Sequence, residues 1–153
     1  MSPVKMDDTD RAILNRIQSD FPLTVRPYAA IGEEFGLREE EVLQRLRRLK
    51  AKGIIRRIGG NFVPDKLGFV STLCAARVPE DRVAAFSAVV NAYPGVTHNY
   101  QRDNHFNIWF TFIAPSMDEI TSNLAEISRK TGITGILNLP ATRVFKIKAH
   151  FDL

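Results

Sequence analysis

The 153-residue sequence contains one cysteine, Cys74, one tryptophan and three histidines. A single cysteine excludes an internal disulfide framework and a Cys-x-x-Cys metal site, and it fits a reducing cytoplasm. A metal ion would therefore have to arrive with a ligand or be held by the histidines, His98, His105 and His150. The sequence also lacks a run of about 20 apolar residues and an apolar secretory signal near its start, so we expect a cytoplasmic protein that does not enter a membrane.

The charged residues are unevenly distributed along the sequence. Residues 1–60 hold twelve Lys or Arg and nine Asp or Glu, a net charge of +3, whereas residues 61–153 carry a net charge of +1. Seven basic residues and no acidic residue lie between Arg45 and Arg57. Such a run is typical of a surface that meets an anionic partner, either nucleic acid or a small ligand rich in carboxylates or phosphates. A solvated helix face is the alternative.

Three short helices are predicted in the first half of the chain. Asp7 is in place to cap the first helix, Pro27 suits the first turn of the second, and a turn at Gly36 leads to a third helix that ends at Gly53. Residues 54–63 then predict a small β-hairpin. Two helices, a glycine turn, a third helix and a β-wing together indicate a winged helix-turn-helix domain over residues 1–63.

Strands and helices alternate in the second half, after a linker near residues 64–66. Apolar spacings of three, four and three predict helices over 83–93 and 117–127. Strand patterns cover 68–78, 96–102, 106–113 and, with clean alternation, 145–152. The order βαββαβ over residues 64–153 predicts a ferredoxin-like α+β domain, an antiparallel sheet with two helices on one face.

A winged helix-turn-helix followed by a ferredoxin-like domain resembles the Lrp/AsnC regulators. The opening residues 7–14 and the segment 46–55 match the N-terminal pattern of that family. A fold does not fix a function, however, so a DNA-binding regulator that senses a small molecule is only one interpretation.

Further segments resemble a narrower group, the siroheme decarboxylases of the alternative haem pathway and their relatives in haem d1 synthesis, and among them the alpha subunits. The similarity runs from about residue 6 to 153 and is most specific where His98-Asn99-Tyr100 is followed by Trp109-Phe110-Thr111. The matching segments are 21–23, 26–28, 55–60, 66–69, 93–102, 107–111 and 139–147.

The resemblance implies a carbon–carbon lyase of the carboxy-lyase type. In this family two homologous chains form a heterodimer that removes the carboxyl groups of two acetate side chains of siroheme and yields didecarboxysiroheme. It also implies siroheme as the ligand and a homologous second subunit as the partner. A substrate with many carboxylates would account for the basic excess without DNA. A non-catalytic tetrapyrrole sensor would use the same pocket.

Alternation along the strand that starts at Val96 places His98, Tyr100 and Arg102 on one face. An imidazole, a phenol and a guanidinium make a poor core, because burial would leave a charge without a partner. A pocket lining is the favoured interpretation and a solvated sheet face is the alternative. Decarboxylation needs a proton donor, for which histidine is suited near neutral pH, and arginines bind the remaining carboxylates by paired hydrogen bonds. No added cofactor is required, because the macrocycle holds the negative charge that decarboxylation leaves.

We therefore assign candidate roles to residues of both halves. His98 is a proton donor or a ligand of the siroheme iron, His105 is a second acid or an iron ligand, and Tyr100 is a hydrogen-bond donor to a substrate carboxylate. A structural or solvated histidine is the alternative for each of the two imidazoles. The predicted substrate-binding residues are Arg56, Arg57, Arg102, Trp109, Arg143 and Lys146, for which salt bridges or packing are the alternatives.

The predicted recognition helix begins with Arg38-Glu39-Glu40-Glu41. Three adjacent carboxylates would be repelled by a phosphate backbone, although acids in a first turn also stabilise a helix by themselves. We expect a helix-turn-helix that no longer reads DNA. Cys74 is predicted to be buried in its strand, and His150 to be solvated.

Overall fold

The computed structural model describes residues 5–146 and 150–153, which fold as two compact units. The first unit comprises the described residues up to Gly60 with those from Lys146 onward, and the second spans Asn61–Phe145. The sequence division at residues 63 and 64 stays a prediction. None of the helices in the described residues combines the length and the apolar character that crossing a membrane requires.

Three helices form the first unit: α1 (Asp8–Ser19), α2 (Pro27–Phe35) and α3 (Glu39–Ala51). Asp7 caps α1 as predicted, because its side chain accepts a hydrogen bond from the Asp10 amide at 2.7 Å. Pro27 occupies the first position of α2, which ends at Gly36 in the left-handed conformation. The core consists of the apolar faces of the three helices and of Ile55, which follows α3. The buried helix residues are Ile13, Leu14, Ile31, Val42, Leu46 and Leu49.

The second unit is the predicted ferredoxin-like sandwich. Its elements are β1 (Val70–Ala76), α4 (Val83–Asn91), β2 (Val96–Gln101), β3 (Ile108–Ala114), α5 (Met117–Thr131) and β4 (Leu137–Leu139), with two 3₁₀ turns at Pro64–Leu67 and Glu80–Arg82. The four strands pair in the order β2-β3-β1-β4, and every neighbouring pair is antiparallel. Both helices cover one face of the sheet, where the buried phenylalanines Phe86, Phe110 and Phe112 form the centre of the core.

The predicted hairpin over residues 54–63 is wrong, since this segment contains no strand. The reason lies in how α3 ends. The amide groups of Ile54 and Ile55 both bond to the carbonyl oxygen of Leu49, at 3.0 and 3.4 Å, after Gly53 has turned the chain with a positive φ. The amides of Ile54 and Ile55 therefore complete the helix end and are not free for a strand ladder.

The predicted last strand over 145–152 is also wrong in the described residues, and 147–149 lie outside them. The fourth strand is Leu137–Leu139, which takes the free edge of β1 and pairs Leu139 with Leu73. Pro140, which has no amide hydrogen, follows immediately and ends the ladder. Residues 150–153 instead run along α1 of the first unit.

Gly95 permits the close approach of β2 to β3. A Cβ atom at this position would lie 2.2 Å from the carbonyl oxygen of Ile113 and 2.9 Å from the ring of Phe112. We expect Gly95→Ala to lower the free energy of unfolding by about 3 kcal/mol, at the upper end of overpacking costs. Gly59→Ala is the control, because no atom lies within 4 Å of its added Cβ. Urea unfolding of both variants measures the difference, and equal stabilities would contradict the prediction.

Cys74 is fully buried on the helix-covered face of β1, as expected from the sequence. Burial raises the pKa of its thiol to about 12. At pH 8 only about one thiol in ten thousand is then ionised, and the thiolate is the reactive form. We expect the folded protein to resist a disulfide-exchange reagent at pH 8 and the urea-unfolded protein to react at once. Absorbance of the released thiol measures both rates, and rapid labelling of the folded chain would contradict the prediction.

Candidate functional site

The face of the sheet that α4 and α5 leave uncovered carries several of the predicted site residues. We call it the open sheet face. Leu73, Tyr100 and Leu139 are 43%, 50% and 41% exposed there, although each is a large side chain with apolar surface. The strand register places these residues beside one another with other members of the face, among them His98, Trp109 and Thr111. This open sheet face therefore combines apolar surface with polar groups.

A β-bulge at Thr97 directs His98 onto the open sheet face. Val96 pairs with Phe112 and packs into the helix-covered core, whereas His98 pairs with Thr111, so that Thr97 is the extra residue between them. Strict alternation would have put Val96 and His98 on the same face. The bulge resolves that conflict by burying the valine and exposing the imidazole, a known use of bulges beside functional sites.

His98, Tyr100 and Arg102 form a row along the edge strand. The rings of His98 and Tyr100 stack with centroids 6.0 Å apart, and the Arg102 guanidinium lies 5.7 Å from the centroid of the Tyr100 ring. Nδ1 of His98 lies 3.0 Å from the hydroxyl of Thr97, which leaves Nε2 as the nitrogen that can face a ligand. All three side chains are exposed in the single chain, so the predicted pocket around them requires a second surface.

Trp109 lies beside Tyr100 in the pairing of β2 with β3 and opposite the buried phenylalanines of its own strand. Its indole N–H donates to the carbonyl oxygen of Phe106 at 2.6 Å, so the ring is held in a fixed orientation and is half-buried. The flat face of this ring, together with the side chains of Leu73 and Leu139, supplies apolar surface on the open sheet face.

His105 lies in the turn between β2 and β3, away from the row of His98. Its exposed ring contacts Phe106 edge-on with centroids 5.1 Å apart. It lines a cavity of about 760 Å³ together with Arg77 and Arg82. The structure therefore places His98 and His105 in different surroundings, and within the described residues no group of three or more His, Cys, Asp or Glu side chains is arranged to hold a metal ion.

Arg56 and Arg57 line a cavity of about 890 Å³ in the first unit, which we call the wing cavity. Its other walls are mostly apolar side chains of α1 and of the segment after α3, and the C-terminal Phe151 and Leu153 also line it. A volume in this range and apolar walls with a few charged groups are typical of a small-molecule site. Arg143 and Lys146 are exposed beyond β4, and the Arg143 guanidinium lies 5.0 Å from the centroid of the Phe145 ring.

Two arginines of α3 are engaged inside the first unit. Arg45 donates to Asp7 at 2.7 Å and to the buried Asp10 at 2.9 Å, and Arg48 also pairs with Asp10. The hydrogen bond from Arg45 lowers the pKa of the Asp7 carboxyl group below its usual value. In the first turn, Glu39 pairs with Arg26 and Glu41 with Arg45. Much of the charge of the would-be recognition helix is therefore neutralised within the unit.

Sequence reasoning missed two apolar side chains of the open sheet face, Leu73 and Leu139. A signal was present in β1, where Leu73 and Ala75 on one face and Cys74 and Ala76 on the other are all apolar. A strand that is apolar on both faces indicates a sheet that is covered on both sides.

Comparison with known proteins agrees with this architecture. Residues 10–56 match a family model described as the siroheme decarboxylase NirDL-like HTH domain, and residues 66–146 match the AsnC-like ligand binding domain. The siroheme decarboxylase alpha subunit of Desulfovibrio desulfuricans is 58% identical over 148 residues, an alignment that covers 97% of this chain and 85% of the relative.

Two solved structures of the siroheme decarboxylase NirDL are similar. The first has 30% identity and a TM-score of 0.69, with 96% of this chain and 48% of that chain covered. The second, a co-complex with an iron-uroporphyrin III analogue, has 29% identity and a TM-score of 0.68, with 95% and 48% covered. The chain thus spans about half the length of NirDL. Because the identity to the alpha subunit extends over nearly the whole chain, the chain belongs to the siroheme decarboxylase family.

Proposed function

We propose that the chain is a subunit of a cytoplasmic siroheme decarboxylase, a carboxy-lyase that removes carbon dioxide from two acetate side chains of siroheme and forms didecarboxysiroheme. The observation that carries this proposal is the row of His98, Tyr100 and Arg102 on the open sheet face. The row joins a proton donor and a phenol on β2 with a carboxylate-binding cation directly after that strand. The names of the relatives support the same reaction.

Each decarboxylation requires a group that accepts the electron pair and a donor that supplies one proton. The bond between the carboxyl carbon and the methylene carbon breaks, carbon dioxide leaves, and the electron pair stays on the methylene carbon, where the adjoining pyrrole of the macrocycle delocalises it. A proton delivered to that carbon completes the methyl group. His98 is suited to deliver the proton because an imidazole exchanges protons near neutral pH. Ligation of the siroheme iron by His98 or His105 is the alternative role of these residues.

The substrate carboxylates that do not react are bound by the protein, and their binding positions the acetate arm that reacts. Arg102 is the proposed partner of these carboxylates on the open sheet face, because a guanidinium binds a carboxylate through two parallel hydrogen bonds. Arg56 and Arg57, which line the wing cavity of the first unit, stay predictions. Tyr100 adds a neutral donor. Trp109 contributes a flat apolar surface, and Arg143 and Lys146 add positive charge. Binding energy from groups remote from the reacting carbon is then available to orient the acetate arm. The macrocycle supplies the electron sink, so we propose no further cofactor.

We propose a homologous second chain as the partner, docked on the open sheet face. Large half-exposed side chains gathered on one sheet face, such as Leu73 and Leu139, are typical of an interaction surface. A second sheet over this face would cover His98 and Tyr100 and make the open row the wall of a cavity. Water would then be excluded from the charged groups, which strengthens each of their electrostatic contacts.

DNA is not among the proposed partners. Glu39, Glu40 and Glu41 fill the first turn of α3, where a recognition helix presents its residues to DNA, and Arg45 and Arg48 are paired with acids of α1. Phosphate contacts supply most of the affinity of DNA-binding proteins, and these paired groups offer few. The fold therefore supports the interpretation as a DNA-binding regulator, whereas the charge distribution does not.

The test is to incubate the purified chain, with and without its homologous partner, with siroheme in the absence of oxygen and to measure the product mass. Loss of two carboxyl groups as carbon dioxide is the expected result for the assembled pair. Siroheme binding without a mass change would contradict the enzyme and favour the sensor. A sequence-specific complex with promoter DNA that persists at physiological salt would favour the regulator.

A further inference from the structure

Two arginines, Arg77 and Arg102, lie at the same end of the sheet, where Asn107 holds the chain beside each of them. The Arg102 amide donates to the main-chain oxygen of Asn107 at 2.7 Å. The Asn107 side chain accepts from the Val78 amide at 2.8 Å and donates to the Val78 carbonyl oxygen at 2.7 Å. The residue directly before β3 therefore fixes the ends of both neighbouring strands.

Arg77 lies on the open sheet face, although it was not among the residues selected from the sequence. Ala76 and Val78 belong to the helix-covered core, and the exposed Arg77 stands between them. Because successive residues of an extended chain point to opposite faces, Arg77 shares the face of His98.

The strand register sets the separation of the two arginines. Tyr100 and Ala75 pair with Trp109 from opposite sides, and Arg102 and Arg77 each follow two residues later. One strand therefore lies between the two arginines. Their Cα atoms are about 10 Å apart, which is two strand spacings.

Arg77 lines the cavity of about 760 Å³ that also contains His105, and we call it the end cavity. Arg82 is the second guanidinium of this cavity, and it is held in place because it donates to the carbonyl oxygen of Thr131. Among the described residues, no Asp or Glu lines the end cavity or pairs with Arg77. A cavity with cationic side chains and no acidic ones favours an anion.

A second cavity, of about 540 Å³, adjoins the end cavity and contains Arg102. Glu80 and Asp103 line this second cavity and not the first. Asn104 and Asn107 line both cavities. A single molecule can therefore contact Arg102 in one cavity and Arg77 in the other.

We propose that Arg77 and Arg102 form a clamp that binds two siroheme carboxylates that do not react. The inference rests on the proposed function and deepens it, since it adds Arg77 to the substrate-binding residues. His98 lies four residues before Arg102, about 13 Å along the strand. Groups separated in this way fit a flat ring with carboxylates around its rim, because its reacting arm meets His98 while other arms meet the arginines.

The test compares wild type, Arg77→Ala and Arg77→Lys, each as the full chain assembled with its homologous partner. Arg129→Ala is the matched control, because it removes the same charge from an exposed position of α5. Anaerobic titrations measure the affinity for siroheme and for didecarboxysiroheme. Both compounds carry the carboxylates that the clamp binds, whereas only siroheme carries the two that react.

We expect Arg77→Ala to bind both compounds about ten- to a hundredfold more weakly, the range for a lost hydrogen bond to a charged group. Arg77→Lys should recover part of the affinity, because an ammonium keeps the charge but not the paired hydrogen bonds. Unchanged affinity in Arg77→Ala, a loss for siroheme alone, or an equal loss in Arg129→Ala would overturn the clamp. A wild-type pair that binds neither compound would contradict the proposed function, and the clamp with it.

Discussion

Replacement of His98 by alanine is expected to lower the rate of siroheme decarboxylation by a factor of about 10² to 10⁴, the range that a positioned general acid contributes. The imidazole lies on the open sheet face, with Nδ1 beside the Thr97 hydroxyl and Nε2 free to meet a substrate. Removal of the side chain leaves the methylene carbanion without its proton donor. Single-turnover kinetics with the assembled pair under anaerobic conditions, followed by product mass, measure the loss.

The absorption spectrum of bound siroheme distinguishes the two proposed roles of His98, proton donor and iron ligand. A proton donor leaves the spectrum of the His98→Ala complex unchanged while the rate falls, whereas an iron ligand changes the spectrum as well. Gln101→Ala is the control, because its side chain comes from the same strand but bonds to Glu80 on the other side. A His98→Ala complex with both the wild-type rate and the wild-type spectrum would remove His98 from the site.

Patterns of a few neighbouring residues were sufficient to predict much of the fold. Asp7 and Pro27 were identified as helix starts because capping and the fixed φ of proline depend on a few adjacent residues. The stripes on α4 and α5 identified their buried faces for the same reason. Alternation likewise placed His98, Tyr100 and Arg102 on one face of their strand, whereas the pairing of Tyr100 with Trp109 on the neighbouring strand is known only from the structure.

The remaining features depend on partners that are distant in the sequence. Thr97 becomes a bulge only because Phe112 and Thr111 of β3 are already in register with their neighbours. The alternation over residues 145–152 fits a strand and also fits an extended segment, and it carries no information about whether a strand edge or a helix such as α1 will bind it. Sequence alone therefore does not identify Gln18 as the hydrogen-bond partner of Phe151.

The positions of the charged residues likewise could not be predicted from the sequence alone. The basic run from Arg45 to Arg57 predicted an anionic partner, but the structure places its arginines in different environments. Arg45 and Arg48 pair with the buried Asp10, whereas Arg56 and Arg57 face the wing cavity. Charge counted along a chain does not distinguish a cation that stabilises a helix contact from one that is free to bind a ligand. That distinction requires the position of Asp10, 35 residues before Arg45 in the chain.

Introduction of a charge into the open sheet face is expected to weaken assembly with the proposed second subunit. Leu73 is a central residue of that face, between Thr111 of β3 and Leu139 of β4, and it is 43% exposed in the single chain. A second sheet docked there would bury an aspartate at position 73 without a partner. We expect Leu73→Asp to weaken the dimer by at least about thirtyfold, the effect of losing 2 kcal/mol at a central interface residue.

Analytical ultracentrifugation of Leu73→Asp mixed with the wild-type partner measures that loss, and the decarboxylase assay follows its consequence. The control is Ala125→Asp, which adds the same charge at an exposed position of α5 on the opposite side of the sheet. Since Leu73 and His98 flank Thr111 from opposite sides on the open sheet face, an intact dimer in the Leu73→Asp mixture would contradict docking on that face. In that case His98 would remain exposed to solvent, and the proposed proton donor would not lie in a cavity.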